Sequence, residues 1–202
     1  TKFIENHAGF SGGALYVRDG SEITWTGDTE FVGNVAEVFG GGAVYIFNGA
    51  NVSWTGDTRC TANEALTSDG GAIATTALAS ENTADSNLII NGTTTFSKNA
   101  AGENGGGLAL LGAFTLTINP SVDVIFVGNT AAVAGGAIFL SGNSVGPALT
   151  DVSFVSNSAE IGGAVSIFGS GTKQPGDFST KFDRCRFINN RAAAPGGAMH
   201  SA

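Results

Sequence analysis

A short signature, Phe-x-x-Asn-x-Ala followed after a variable loop by Gly-Gly, recurs along the whole chain and leaves few folds open to it. It appears as Phe3, Asn6, Ala8 and Gly12-Gly13-Ala14, then as Phe31, Asn34, Ala36 and Gly41-Gly42-Ala43, then as Phe126, Asn129, Ala131 and Gly135-Gly136-Ala137. Further copies carry Phe154, Asn157, Ala159 and Gly162-Gly163, and Phe187, Asn190, Ala192 and Gly196-Gly197. Two copies depart from the pattern. Cys60 stands where Phe would precede Asn63, Ala65 and Gly70-Gly71; in the other, Phe96, Asn99 and Ala101 lead to Gly106-Gly107 and then Leu108 in place of Ala.

The seven asparagines are separated by 28, 29, 36, 30, 28 and 33 residues, so a unit is about 29 residues with occasional insertions. The loop between the fixed Ala and the first Gly changes length, which places it outward, where length is tolerated. Each unit holds three segments rich in β-branched and aromatic residues, such as Ala14–Val17, Ile23–Thr26 and Thr29–Phe31, punctuated by Gly20, Gly27-Asp28 and Asn34. Three short strands and three turns per unit suit a coil that hydrogen-bonds to its predecessor at ~4.8 Å. The fold class predicted is all-β: a right-handed parallel β-helix of about seven rungs, each of three short strands, forming one domain over residues 1–202. The Leu-x-x-Leu-x-Leu pattern of leucine-rich repeats is absent, and propeller blades need about 40 residues. The chain starts and stops inside a repeat, which predicts a solenoid open at both ends and part of a longer array.

Alternation assigns the faces. After the glycines, Leu15 and Val17, Val44 and Ile46, Ile73, Leu111, Ile138 and Leu140, Val165 and Ile167, and Met199 are predicted to point inward. Tyr16, Tyr45, Ala74, Leu110, Phe139, Ser166 and His200 then share an outward column. In the second strand Ile23 and Trp25, Val52 and Trp54, Leu88 and Ile90, and Leu116 and Ile118 point inward, while Thr24, Ser53 and Thr117 point out. Asn6, Asn34, Asn63, Asn99, Asn129, Asn157 and Asn190 are predicted to stack at a corner as an amide ladder, each side chain both accepting and donating along the axis. Asn also tolerates a left-handed backbone there. Cys60 and Cys185 fall four rungs apart, about 19 Å, beyond the ~7 Å reach of a disulfide; two free, buried thiols are predicted.

Composition narrows the partners. Nine basic residues against seventeen acidic ones give a net charge of −8, which disfavours nucleic acid and anionic membrane surfaces. No apolar run reaches the ~18 residues of a membrane-spanning helix.

The alternation of Phe126-Val127-Gly128-Asn129 with Gly135-Gly136-Ala137-Ile138, and of Phe154-Val155-Ser156-Asn157 with Gly162-Gly163-Ala164-Val165, resembles the repeat of the chlamydial polymorphic outer membrane protein family. That resemblance implies a surface-exposed β-helical passenger region delivered by an autotransporter, with an adhesive role.

For the residues themselves, catalysis finds little support. Asp28 and Asp57 align in two Thr-Gly-Asp-Thr turns, Arg184 and Arg186 flank Cys185, and no constellation of acids and bases converges as a polysaccharide lyase or epimerase would need. His7 and His200 lie in opposite end rungs, so no shared metal is expected, and no cofactor. The outward residues Tyr16, Tyr45, Leu110 and Phe139 form the candidate partner-docking face. Asn51 and Asn91 begin two N-glycosylation triplets. Thr24-x-Thr26, Ser53-x-Thr55 and Thr115-x-Thr117 offer a hydroxyl array of the ice-binding kind, interrupted by Ile89 and Asn91. The function predicted is a non-enzymatic extracellular or cell-surface solenoid for display, adhesion or fibre assembly, its partner a surface protein, a glycan or a second copy end to end. The alternatives are a carbohydrate-active β-helix enzyme and an ice-binding solenoid.

Overall fold

The computed structural model describes residues 1–76, 85–142, 146–169 and 180–202. They form strands without helix, and every strand pairing is parallel to the equivalent segment one repeat away. The Phe segments, from Lys2–Ile4 through Thr94–Ser97 to Arg186–Ile188, make a seven-stranded sheet in chain order. The post-glycine segments, from Leu15–Arg18 to Met199–Ser201, make a second seven-stranded sheet. Glu22–Trp25, Asn51–Trp54, Ser86–Ile90 and Phe114–Ile118 make a third wall of four strands, and Ala148–Thr150 pairs with Lys181–Asp183. Seven strands in register amount to a parallel β-helix of about six turns.

The coil has one wall more than the three predicted. Two-residue strands directly after each ladder asparagine, from His7–Ala8 to Arg191–Ala192, form a further seven-stranded sheet. Within it Ala36 and Ala65 pair in register and both are fully buried, so only a small side chain fits between successive turns.

Inside the coil, the Phe column stacks ring on ring: Phe3 on Phe31 at 4.8 Å, Phe96 on Phe126 at 4.6 Å, and Phe154 on Phe187 at 4.8 Å between centroids. Such offset stacks add to the burial of the rings themselves. Cys60 takes the place of a ring between Phe31 and Phe96 in the register. Trp54, fully buried in the four-stranded wall, satisfies its indole N–H by donating across the interior to Thr94 Oγ1 of the Phe wall at 2.9 Å.

Both cysteines are free. Burial pushes the Cys60 thiol far above its ordinary range; Cys185 is only half-buried, contrary to the sequence expectation, and burial raises it less completely. Because the thiolate is the reactive form, alkylation of the native protein at mildly alkaline pH is expected to modify Cys185 slowly and Cys60 only after unfolding. Counting the adducts by intact mass checks this; rapid modification of Cys60 in the native protein would contradict its place in the core.

The corner before the asparagines also differs from expectation. The left-handed residue is the one preceding each asparagine: Glu5, Gly33, Ala62, Lys98, Gly128, Ser156 and Asn189 all have φ between 52° and 63°. Five of them carry a Cβ, each at a cost of roughly 1–2 kcal/mol, which the asparagine hydrogen bonds described next must offset.

Candidate partner-binding surface

Each interior asparagine makes the same bonds. Asn99 donates from its backbone N–H and from Nδ2 to Oδ1 of Asn129, at 3.0 and 2.9 Å, and from Nδ2 to the Cys60 carbonyl at 2.9 Å. Asn34, Asn63, Asn129 and Asn157 repeat this with their own neighbours, and all five are fully buried. Asn6 and Asn190 close the ladder at its exposed ends. With donors and acceptors consumed internally, the ladder has nothing left to offer a ligand.

The post-glycine sheet departs from the sequence reading in one turn. Leu108 pairs with Ile73 and Ile138, and Leu110 pairs with Thr75 and Leu140, so Leu110 lies in the core, fully buried, and is not part of any docking face. Leu111, assigned inward, instead packs on the outer side of the wall. Three consecutive glycines caused the slip. Gly105, with φ +66°, takes the left-handed position held elsewhere by Gly41 and Gly135, so Gly107 takes the slot of Ala72 and Ala137. A one-residue shift moves every side chain to the other face.

The outward column is therefore Tyr16, Tyr45, Ala74, Ala109, Phe139, Ser166 and His200. Its middle is not open. Ala74, Ala109 and Phe139 form a satellite cluster with Ala134, Leu111, Ile161 and Phe168 under the flanking loops, leaving Phe139 only 8% exposed. Phe139 is thus removed from the docking face as well.

What remains open is the first two turns. Tyr16 is 43% exposed, and it meets Tyr45 at 5.5 Å and Phe47 at 6.3 Å between ring centroids. Phe10 and Phe39, from the loops between Ala and Gly-Gly, face each other at 5.5 Å with 66% and 48% of their surface exposed. With Ser11, these five rings line one cleft of about 450 Å³. Phe10, Phe39 and Phe47 were not singled out from sequence. The signal was available: both Ala-to-Gly loops of the first two turns place a Phe within two residues of the glycines.

Charges surround the cleft unevenly. Arg18, the register partner of Phe47, is held by Asp19, whose carboxylate also accepts from Asn48 at 2.7 Å. That hydrogen bond and the guanidinium hold Asp19 below the usual carboxylate range. Burial pushes the Tyr45 phenol up; a hydrogen bond with Thr76 opposes this, and Tyr16 and Asp69 add to it. Asp69 itself is pushed up, chiefly by burial and also by Glu103, although Asn104 donates to its Oδ1 from the backbone at 3.1 Å and from Nδ2 at 2.8 Å.

A raised carboxyl means the fold holds the protonated form more tightly than the unfolded chain does, so this group weakens the fold at neutral pH and less so as pH falls. Asp69→Asn keeps the acceptor for Asn104 and removes the buried charge. Its guanidinium unfolding midpoint is expected to exceed that of the unsubstituted chain at pH 7, with the difference shrinking toward about pH 4, in the ordinary carboxylate range. A lower midpoint at pH 7 would show that the charge itself is needed.

The other candidates are spent locally or stand alone. Asp57 N–H donates to Asp28 Oδ1 at 3.1 Å, a turn contact, and Arg184 is paired with Asp151 and Asp183. Thr24 and Ser53 bond each other at 2.9 Å, and Thr55 turns back to the Trp25 carbonyl, so the hydroxyl array is partly self-satisfied. Asn51 is half-buried and accepts from Asn87 Nδ2; Asn91 is half-buried at the end of its strand. No group of three or more His, Cys, Asp or Glu gathers as metal ligands among the described residues.

Compared with known families, residues 123–145 match the model described as the Chlamydia polymorphic membrane protein repeat. The match spans one turn, containing Phe126, Asn129 and Gly135-Gly136. No curated protein and no solved structure matches the chain.

Proposed function

We propose that this chain is a non-enzymatic scaffold that displays an adhesive surface outside the cell, the solenoid carrying the aromatic cleft of the first two turns toward a partner on another surface. The coarser part needs no proposal: the chain is a repeat protein, built as a parallel β-helix, with a turn that matches a polymorphic membrane protein repeat. The observation that supports the finer reading is the exposure of Phe10, Tyr16 and Phe39 around one hollow, while the positions equivalent to Tyr16 in the middle turns are the buried Ala74, Ala109 and Phe139, and no later loop carries an aromatic where Phe10 and Phe39 stand. Exposed aromatics concentrated in one patch mark interaction sites rather than ordinary surface. The acidic surface favours a partner that is neutral or basic.

Beads coated with the protein are expected to attach to cultured epithelial cells several-fold above albumin-coated beads, and Phe10→Ser combined with Phe39→Ser is expected to bring attachment down to the albumin level. Both residues are exposed, so the double variant should melt as the parent does, which circular dichroism checks. Attachment no better than albumin for the unsubstituted chain would overturn the adhesive reading.

A further inference from the structure

We propose that the aromatic cleft binds the choline end of a phosphocholine head group, presented by a phosphatidylcholine membrane. This inference rests on the adhesive reading above and names the surface it meets. Five rings, Phe10, Tyr16, Phe39, Tyr45 and Phe47, line one hollow without closing it. Four of their ring pairs lie at 5.5–6.3 Å, and three of those pairs are tilted by 40° to 53° rather than stacked flat. Rings inclined to one another around one hollow are what a site for a cation within about 6 Å of several centroids is built from, and a quaternary ammonium is the cation whose own surface is apolar.

Charge selects the lipid class. A chain with net charge −8 is repelled by an anionic bilayer but not by a zwitterionic one. Glu37 directly precedes Val38 and Phe39 and pairs with His7 at 3.1 Å, so the loop that carries Phe39 adds a carboxylate to the surroundings of the cleft. Arg18, beside Phe47 and 63% exposed, is the cation placed to meet the phosphate.

The surroundings fit a membrane better than a folded protein partner. Phe10, Val38, Phe39 and Leu66 project from successive outward loops that hydrogen-bond to one another, with 66%, 45%, 48% and 45% of their surface exposed. Such a row of apolar tips beside a polar-rimmed cleft is what a protein resting in the head-group layer presents.

Sedimentation with vesicles of pure phosphatidylcholine, phosphatidylethanolamine with minimal bilayer-forming lipid, or phosphatidylglycerol tests this directly. The first two differ at the head group only in the methyls on nitrogen. Binding to phosphatidylcholine is expected to be at least about 10-fold tighter than to either of the others, to be inhibited by soluble phosphocholine, and to be lost in Tyr16→Ser/Tyr45→Ser. The Phe10→Ser/Phe39→Ser protein should also lose vesicle binding, since it alters both cleft and loop tips. Equal binding to phosphatidylethanolamine, no binding to any vesicle, or indifference to phosphocholine would each overturn the lipid assignment. If beads still attach to cells through Phe10 and Phe39 while vesicle selectivity fails, the lipid falls and the adhesive surface stands. If attachment fails as well, both fall.

Discussion

Asn129→Leu is expected to cost on the order of 5 kcal/mol, because it strands three buried groups at roughly 1–3 kcal/mol each. The Asn99 N–H and Asn99 Nδ2 lose their shared acceptor, and the Phe96 carbonyl loses its donor. Leucine supplies no replacement, and all of these atoms lie where water does not reach. Since small domains are stable by only about 5–15 kcal/mol, the variant should be unfolded or close to it at room temperature, with a sharply lower denaturant midpoint. Asn6→Leu serves as the comparison. Asn6 is exposed at the end of the ladder and its loss strands no neighbour's donor, so its midpoint should move by far less. Equal losses at the two positions would mean that the ladder contributes nothing beyond the conformation of each corner.

Gly136→Ala is the second large effect. A Cβ at Gly136 would stand 2.2 Å from the Gly163 carbonyl oxygen and 2.5 Å from that of Ser158, both backbone atoms that cannot step aside without separating the turns. Overpacking typically costs about 1–3 kcal/mol, and two backbone clashes at once put this site at the top of that range, with the strain falling on the ladder spacing itself. By contrast, a Cβ at Gly27 meets nothing within 4 Å, and Gly27→Ala should be neutral or stabilising by ~0.5 kcal/mol through the unfolded chain. Expression yield and thermal midpoint of the two variants distinguish them. If Gly136→Ala folds as well as Gly27→Ala, the close approach of successive turns at this corner is wrong.

These two columns were legible in the sequence because each repeats a single residue type whose chemistry admits one use: a short amide that can bond along an axis, and a glycine where no side chain fits. The inward columns were legible for a similar reason, since Val52, Leu88 and Leu116 hold one register, and polar residues flank Val52 and Leu116 on both sides. Leu110 was misplaced because three successive glycines carry no mark of which one is left-handed, and the period of two converts that single ambiguity into a full exchange of faces. The left-handed corner was assigned to the asparagine because the residue that adopts it varies among Glu, Gly, Ala, Lys, Ser and Asn, so it leaves no compositional trace. The additional wall escaped notice because two-residue strands are too short to show alternation.

The docking face was legible only at Tyr16 and Tyr45. Whether Phe139 is open depends on loops that reach it from neighbouring turns, and those contacts are not encoded in the strand that carries it. Phe10 and Phe39 sit in the variable loops, where length variation argued for tolerance rather than for a built surface. Yet an outward loop is where an adhesive residue does most, since the walls of the coil are committed to one another.

The account stands on stacked turns, and distances between spin labels along one wall test this most directly. In a Cys185→Ser background, where Cys60 stays unreactive, labels replace His7 together with Thr130, and His7 together with Arg191; these residues occupy equivalent positions four and six turns apart. Separations of about 19 and 29 Å, linear in the number of turns at ~4.8 Å each, are predicted. Distances that fail to grow in that ratio would contradict the coil, and with it the assignment of every inward and outward residue.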